Sequence, residues 1–162
     1  MLLSFELVFI YIAFYVFTSR DLHNNNISQL PENVFSGLRR LFSLFLQNNK
    51  ITFLTNGRFS KLENLEYLLL SGNNFQEIPD GAFRNSKYLR QILLSDNPIN
   101  TVGERVFTIQ NQKISIFMIR TKLRTFDLAS FDNSKNIPPA VITLRGGKID
   151  TIKCNEYCVV HL

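Results

Sequence analysis

The sequence predicts an α/β solenoid, an arc built from about five to six repeats of 24 residues. An asparagine recurs with this period, at Asn25, Asn49, Asn73 and Asn97. Aliphatic residues precede each asparagine at fixed distances, as in the segment Leu41-x-x-Leu44-x-Leu46-x-x-Asn49. A fixed period in this range is typical of one structural unit that stacks on copies of itself.

Within each repeat, apolar residues at alternating positions have the period of a short β-strand. We expect these strands to form a parallel sheet on the concave side, with mostly irregular segments on the convex side. Leu41, Leu44, Leu46 and their equivalents would face inward, because a single repeat cannot bury its apolar face alone. The first repeat departs from the pattern with Arg20 at an aliphatic position, and the sixth follows a two-residue insertion.

The four recurring asparagines are predicted to form a structural ladder inside the solenoid. The chain turns away from the sheet at this position, which leaves backbone amide and carbonyl groups without strand partners. A buried asparagine offers one acceptor and two donors to satisfy them. The members of this ladder are Asn25, Asn49, Asn73 and Asn97.

A phenylalanine follows ten residues after each asparagine and continues one period further. We expect this column to fill the space behind the sheet, on the convex side, as a structural spine. Its members are Phe35, Phe59, Phe83, Phe107 and Phe131.

The chain has the length of one domain, and we expect the repeats to occupy residues 19–152. Residues 1–18 are apolar and aromatic, which favours a signal peptide or a short hydrophobic anchor over a spanning helix of about 20 residues. A third interpretation is a degenerate preceding repeat, because Leu3 and Tyr11 fall on apolar positions of the period. Contact with a membrane is expected only through this segment, if it is not cleaved.

The composition indicates no enzyme, no cofactor and no nucleic-acid partner. The formal net charge of +5 is spread along the repeats without a long basic run, as in a solvated surface. His23 and His161 lie near opposite ends of the chain, whereas catalysis needs groups that converge within hydrogen-bonding reach. Cys154, Cys158 and His161 would supply three metal ligands without a fourth, so no metal site is predicted.

Two local features are compatible with export from the cell. Cys154 and Cys158 are the two cysteines of the chain, and an even count after a signal-like start permits a disulfide. The segment Asn26-Ile27-Ser28 is the only Asn-x-Ser/Thr sequon. It predicts a glycoprotein carrying its glycan on Asn26 if the chain is secreted.

The 24-residue units, with Pro31 four residues before Phe35, resemble the animal extracellular class of leucine-rich repeats. That class includes Toll-like receptors, slit-type guidance proteins and leucine-rich repeat hormone receptors. The resemblance implies a secreted or cell-surface module that binds a protein partner on its concave sheet. It also implies a cysteine-containing C-terminal cap, of which residues 153–162 with Cys154 and Cys158 would be the beginning. The alternatives are an intracellular scaffold of the same fold and a truncated fragment of a larger receptor.

The period also predicts which strand residues point outward from the concave face. The central outward positions are Asp21, Phe45, Leu69, Leu93, Phe117 and Thr143, and the flanking apolar ones are Phe42, Tyr67, Ile114, Ile119 and Val141. We expect the exposed apolar stripe to bind a partner, with Phe45 and Phe117 as anchors. Self-association through the same stripe is the alternative. The predicted partner-binding residues are Phe42, Phe45, Tyr67, Leu69, Leu93, Phe117, Ile119, Arg90 and Arg120.

Overall fold

The computed structural model describes residues 18–55, 57–83, 86–107, 113–127, 140–153 and 158–162. Eleven β-strands and no helix lie in these residues. In chain order the strands are β1 (Ser19–Asp21), β2 (Ser43–Phe45), β3 (Tyr67–Leu69), β4 (Glu77–Ile78), β5 (Gln91–Leu93), β6 (Thr101–Val102), β7 (Ser115–Phe117), β8 (Thr125–Asp127), β9 (Ala140–Thr143), β10 (Thr151–Lys153) and β11 (Cys158–His161). Accordingly, no helix that could cross a membrane occurs in the described part of the chain.

One seven-stranded parallel sheet runs the length of the molecule, in the order β1-β2-β3-β5-β7-β9-β11. Equivalent residues of successive repeats pair with each other, as Leu44 pairs with Leu68 and Leu68 with Ile92. The step from β7 to β9 is two residues longer, because Ile116 pairs with Ile142. The predicted solenoid, its parallel sheet and its inserted residues are therefore confirmed.

The return half of each repeat is mostly irregular, as expected for the convex side. Two short parallel pairs occur there, β4 with β6 and β8 with β10. An isolated bridge also joins Phe83 to Phe107. Successive repeats thus bond to each other on both sides of the core, which reduces the number of unpaired backbone groups.

The core consists of the inward aliphatic residues of every repeat. Leu44, Leu68 and Ile92 each have no exposed surface. The fifth repeat differs, because the exposed Lys113 stands where the other repeats have their first leucine, and Ile114 is buried instead. Burying a lysine without a partner would be costly, so the next apolar residue enters the core. The prediction that Ile114 belongs to the exposed stripe is wrong.

The phenylalanine column forms a continuous stack behind the sheet. The ring centroids of Phe35 and Phe59 are 5.7 Å apart, and the next two steps, to Phe83 and Phe107, are 5.8 Å each. The interplanar angles lie between 22° and 25°, and all four side chains are buried. Phe131, the fifth predicted member, lies outside the described residues.

Three of the four asparagines bridge neighbouring repeats from inside the core. The side-chain oxygen of Asn73 accepts a hydrogen bond from the Ile51 amide at 3.1 Å, and its side-chain nitrogen donates to Leu46 and Leu70 at 2.9 and 3.0 Å. The residues bonded to Asn49 and Asn97 occupy equivalent positions. Each asparagine therefore binds the preceding repeat while closing the turn of its own.

Asn25 does not share this environment, and the prediction that it lies inside the ladder is wrong. Its side chain is exposed and donates only to Leu22 and His23 within its own repeat, among the bonds of the described residues. No repeat precedes it in the part of the chain that the structure describes. At the other end, Thr121 takes the asparagine position, and its hydroxyl donates to Met118 at 3.4 Å. Thr121 lacks a second donor for a neighbouring repeat.

The residue before each of these positions adopts left-handed backbone angles, which the sequence reasoning missed. The φ values are 54° at Asn24, 54° at Asn48, 67° at Gly72, 58° at Asp96, 57° at Arg120 and 76° at Gly146. Asparagine, aspartate and glycine tolerate this conformation, and an arginine there is strained by about 1–3 kcal/mol. The recurrence of asparagine, aspartate and glycine immediately before the ladder positions was the sequence feature that could have predicted this left-handed conformation.

Replacing a buried ladder asparagine should destabilise the fold more than replacing the exposed one. Asn73→Ala removes all three hydrogen bonds and leaves the buried Ile51 amide unpaired, at a cost of about 1–3 kcal/mol. The Leu46 and Leu70 carbonyls keep their hydrogen bonds from Asn49 and Asn97. Asn25→Ala is the matched control and should cost less than about 1 kcal/mol. Urea unfolding followed by circular dichroism measures both free energies of unfolding. Equal losses would contradict the assignment of Asn73 as an inter-repeat bridge.

Gly72→Ala should also destabilise the protein, by about 1 kcal/mol or more. The substitution forces alanine to a φ of 67°, and its methyl group would overlap the side-chain oxygen of Asn48. That contact would displace Asn48 from its hydrogen bond to Asn24. Gly37→Ala is the control, because no atom lies within 4 Å of the added methyl group. Thermal unfolding of the two variants tests this, and a loss at Gly37 as large as that at Gly72 would refute it.

Candidate functional site

The central outward residues of the concave sheet lie in one line across the strands. The strand pairing places Phe45 beside Leu69, Leu69 beside Leu93 and Leu93 beside Phe117. These four residues, hereafter the apolar row, are each half-buried. Neighbouring strands are about 4.8 Å apart, so the row extends over about 14 Å. The predicted alignment is therefore present, and none of the four side chains is enclosed in the core.

An aromatic pair adjoins the row at its N-terminal end. The rings of Phe42 and Tyr67 are 5.2 Å apart at an interplanar angle of 52°, and Phe42 is 39% exposed. Tilted aromatic pairs at this distance attract each other beyond the effect of their burial. Both residues were predicted to flank the stripe, and they extend its apolar surface sideways.

Most residues on the remaining flanks of the row have small, polar side chains. Serine occupies four of the positions beside it, at Ser43, Ser71, Ser95 and Ser115. The predicted Ile119 and Val141 are half-buried at the C-terminal end. Because serine side chains are short, the phenylalanine and leucine side chains of the row are the larger groups on this surface.

Two predicted partner-binding arginines are engaged in ion pairs with the preceding repeat. Arg90 lies 2.5 Å from a carboxylate oxygen of Glu66. Arg120 contacts both carboxylate oxygens of Asp96, at 2.5 and 2.6 Å. The hydrogen bonds from Arg120, together with its charge, lower the pKa of Asp96, and the same interactions raise the pKa of Arg120. These arginines therefore link repeats and neutralise carboxylates at the edge of the concave face.

A third polar contact lies at the N-terminal end of the row, between His23 and Asp21. The His23 ring and its backbone amide both hydrogen-bond to the Asp21 carboxylate. The side-chain hydrogen bond is the larger cause of the lowered pKa of Asp21. Both residues are exposed, so this end of the face is polar.

The C-terminal strand β11 extends the concave face, which the sequence reasoning did not anticipate. Val159 pairs with Val141, and His161 pairs with Thr143. Val159 is 46% exposed, whereas Val160 packs against the core. The alternation of Val159, Val160 and His161 was the available signal, but it falls outside the 24-residue period. The expected cap over residues 153–162 remains a prediction.

Several predicted features lie wholly or partly outside the described residues. Residues 1–17, Cys154 and the side chain of Cys158 belong to this group, so the signal peptide or anchor and the disulfide remain predictions. Asn26 and Ser28 of the sequon are described, and both are exposed. Among the described residues, no group of His, Cys, Asp or Glu side chains could hold a metal ion.

The chain has clear relatives by fold. Residues 21–75 match the family model described as leucine rich repeat, and no curated protein sequence matches the chain. The structure resembles TLR13 in its complex with ssRNA13, with a TM-score of 0.66 and 24% identity, over 90% of this chain and 22% of that one. It also resembles Toll in the Drosophila Toll–Spatzle complex, with a TM-score of 0.64 and 19% identity. That match covers 86% of this chain and 23% of the Toll chain.

The leucine-rich repeat domain of APL1B gives a TM-score of 0.57 at 15% identity, over 100% of this chain and 55% of that one. The chain thus spans less than a quarter of TLR13 and Toll, and about half of the APL1B domain. Identities this low carry information on the fold alone. Residues 21–75 therefore match the leucine rich repeat family, and the arc as a whole has the fold shared by Toll, TLR13 and APL1B.

Proposed function

We propose that the chain is a protein-binding leucine-rich repeat module that recognises a protein partner through its concave face. The observation that carries the proposal is the apolar row, four large apolar side chains aligned on neighbouring strands. These side chains are only partly buried, and contiguous apolar surface that is accessible to solvent usually marks an interaction site. Toll, which shares the fold, was solved in complex with Spatzle, and this supports a protein as the partner.

Phe45 and Phe117 are the proposed anchors of the interface. They stand at the two ends of the apolar row, and aromatic residues in well-packed interface centres often contribute about 2 kcal/mol or more each. Phe42 and Tyr67 would add contact area beside Phe45. Serine side chains and the ion pairs of Arg90 and Arg120 occupy much of the remaining edge, as polar groups do in the rim of a typical interface. A partner with an apolar segment of about 14 Å would cover the row.

The proposal assigns the concave face to a protein rather than to nucleic acid. Nucleic-acid binding depends on cations that neutralise phosphates. Arg90 and Arg120 on this face are already paired with Glu66 and Asp96, which leaves the apolar row as its main feature. The open sheet likewise offers no enclosure for catalysis, and the module is proposed to act by binding alone.

Photo-crosslinking from the concave face tests this proposal. We expect benzoylphenylalanine in place of Leu93 to form a cross-link to another protein in cells, and benzoylphenylalanine in place of Phe53 to form none. Phe53 is the matched control, because it is 44% exposed but lies outside the concave strands. Adding Phe45→Ser and Phe117→Ser should abolish the cross-link while the circular dichroism spectrum is unchanged.

The outcome of this experiment also separates the alternatives. If a different protein is cross-linked, the two serine substitutions should raise the dissociation constant of its complex with this chain by at least about 30-fold. This is the equivalent of about 2 kcal/mol. A cross-linked product that contains two copies of this chain would show that the apolar row mediates self-association instead of binding another protein. Equal cross-linking from Phe53, or a product that survives both substitutions, would show that the apolar row is not the binding site.

We further propose that the module is secreted or displayed at the cell surface. The exposed sequon at Asn26 and the receptor-like proteins that share the fold support this location. The full chain expressed in animal cells should lose mass on treatment with peptide-N-glycosidase, and Asn26→Gln should remove that shift. Asn33→Gln, an exposed asparagine outside any sequon, should retain it. A wild-type protein without a shift would favour the intracellular scaffold instead.

A further inference from the structure

A cluster of cations lies on one flank of the last two repeats. The positions that form this flank are the two residues before each ladder position and the residues one and three after it. In repeats one to four these positions include one cation, Lys50, and one carboxylate, Asp96. In repeats five and six the same positions hold five cations and one carboxylate, a formal net charge of +4. The five cations, hereafter the basic patch, are Arg120, Lys122, Arg124, Arg145 and Lys148.

The backbone holds these residues side by side in neighbouring repeats. The Arg120 amide donates to the Arg145 carbonyl at 2.6 Å, and the Asp150 amide donates to the Arg124 carbonyl at 2.8 Å. Between these bonds, a methyl group added at Gly147 would lie 3.1 Å from the Thr121 carbonyl oxygen. The repeats are therefore in contact along this whole segment, and Lys148 lies beside Lys122.

Ion pairing does not account for the whole basic patch. Arg120 pairs with Asp96, and Arg124 pairs with Asp150 at 3.1 Å. Within the described residues, Lys122, Arg145 and Lys148 have no carboxylate partner. Elsewhere in the arc, adjacent repeats place opposite charges together, as at Arg39 and Glu63. Neighbouring like charges repel, so this arrangement stabilises the fold less than ion pairs would and instead favours an anionic ligand.

The shape of the patch also suits an extended anion. All five cations are exposed, and so are Gly146 and Gly147 between them. The Arg120 side chain packs against Gly146, whereas no side-chain atom lies within 4 Å of a methyl group added at Gly147, which leaves backbone accessible to a ligand between the cations. Arginine and lysine bind oxyanions through charge-assisted hydrogen bonds. Of the free cations, Lys122 and Lys148 occupy equivalent positions of neighbouring repeats, whose backbones are about 5 Å apart.

We propose that the basic patch binds a sulfated polysaccharide. Sites for single-stranded nucleic acid combine cations with aromatic side chains on which bases stack, and the described flank of repeats five and six has none. Protein interfaces usually contain an apolar core, and Ile119 is the only apolar side chain at the defined positions of these two repeats. A polyanion whose charge is carried by sulfate groups requires neither feature. This site adjoins the C-terminal end of the concave face, but its three free cations are not part of the apolar row, so it does not depend on the proposed protein partner.

Heparin is the probe for this site. Wild-type protein should bind heparin in 0.15 M NaCl, and the Lys122→Gln, Arg145→Gln, Lys148→Gln triple variant should bind at least about tenfold more weakly. The slope of log affinity against log salt concentration should fall by about two to three, since each neutralising contact contributes nearly one. Isothermal titration at several salt concentrations gives both quantities, and circular dichroism checks that the fold is retained.

A matched variant separates the patch from the overall charge. Arg40→Gln, Lys50→Gln and Lys61→Gln together remove the same charge from exposed positions outside the patch and should weaken binding by less than about threefold. The Phe45→Ser, Phe117→Ser variant should bind heparin as the wild type does, whatever the outcome for the protein partner. Equal losses in the two triple variants, no wild-type binding in 0.15 M NaCl, or equal or tighter binding of a single-stranded RNA of similar charge would overturn the proposal.

Discussion

The hydrogen bonding of the buried asparagines is the constraint on which the rest of the structure depends. Asn49, Asn73 and Asn97 each accept a backbone amide from the preceding repeat and donate to carbonyls of both repeats. Buried backbone groups must be paired, and these side chains pair them only when adjacent repeats stand in one register. The same bonds therefore close each turn and fix the stacking of the next.

Once the register is fixed, every position of the repeat becomes a column along the arc. The column that faces the convex side is filled by phenylalanine rings 5.7–5.8 Å apart. The central outward column gives the apolar row, and the column before the ladder is left-handed throughout. Because columns can change composition without changing geometry, the concave face can present apolar groups while the last two repeats present cations on their flank. The proposed protein and polysaccharide sites are thus two surfaces of one scaffold.

The period in the sequence predicted the sheet, the core and the alignment of the apolar row, because these follow from equal spacing alone. It was wrong where local chemistry overrides the spacing. Asn25 lacks a described preceding repeat to bond, and Ile114 enters the core because Lys113 does not. The left-handed column and the ion pairs of Arg90 and Arg120 depend on backbone angles and side-chain contacts that periodicity does not specify. Strand β11 was missed because its step along the chain is shorter than 24 residues.

Hydrogen exchange at single amides tests the asparagine constraint most directly. The Ile51 amide is bound by the side chain of Asn73, and the Phe75 amide by that of Asn97. The measurement is made under conditions where exchange occurs through local opening. Asn73→Ala should then speed exchange of the Ile51 amide by about tenfold or more, the equivalent of about 1.4 kcal/mol. Exchange of the Phe75 amide should be much less affected. Unchanged protection at Ile51, or an equal acceleration at both amides, would contradict the account.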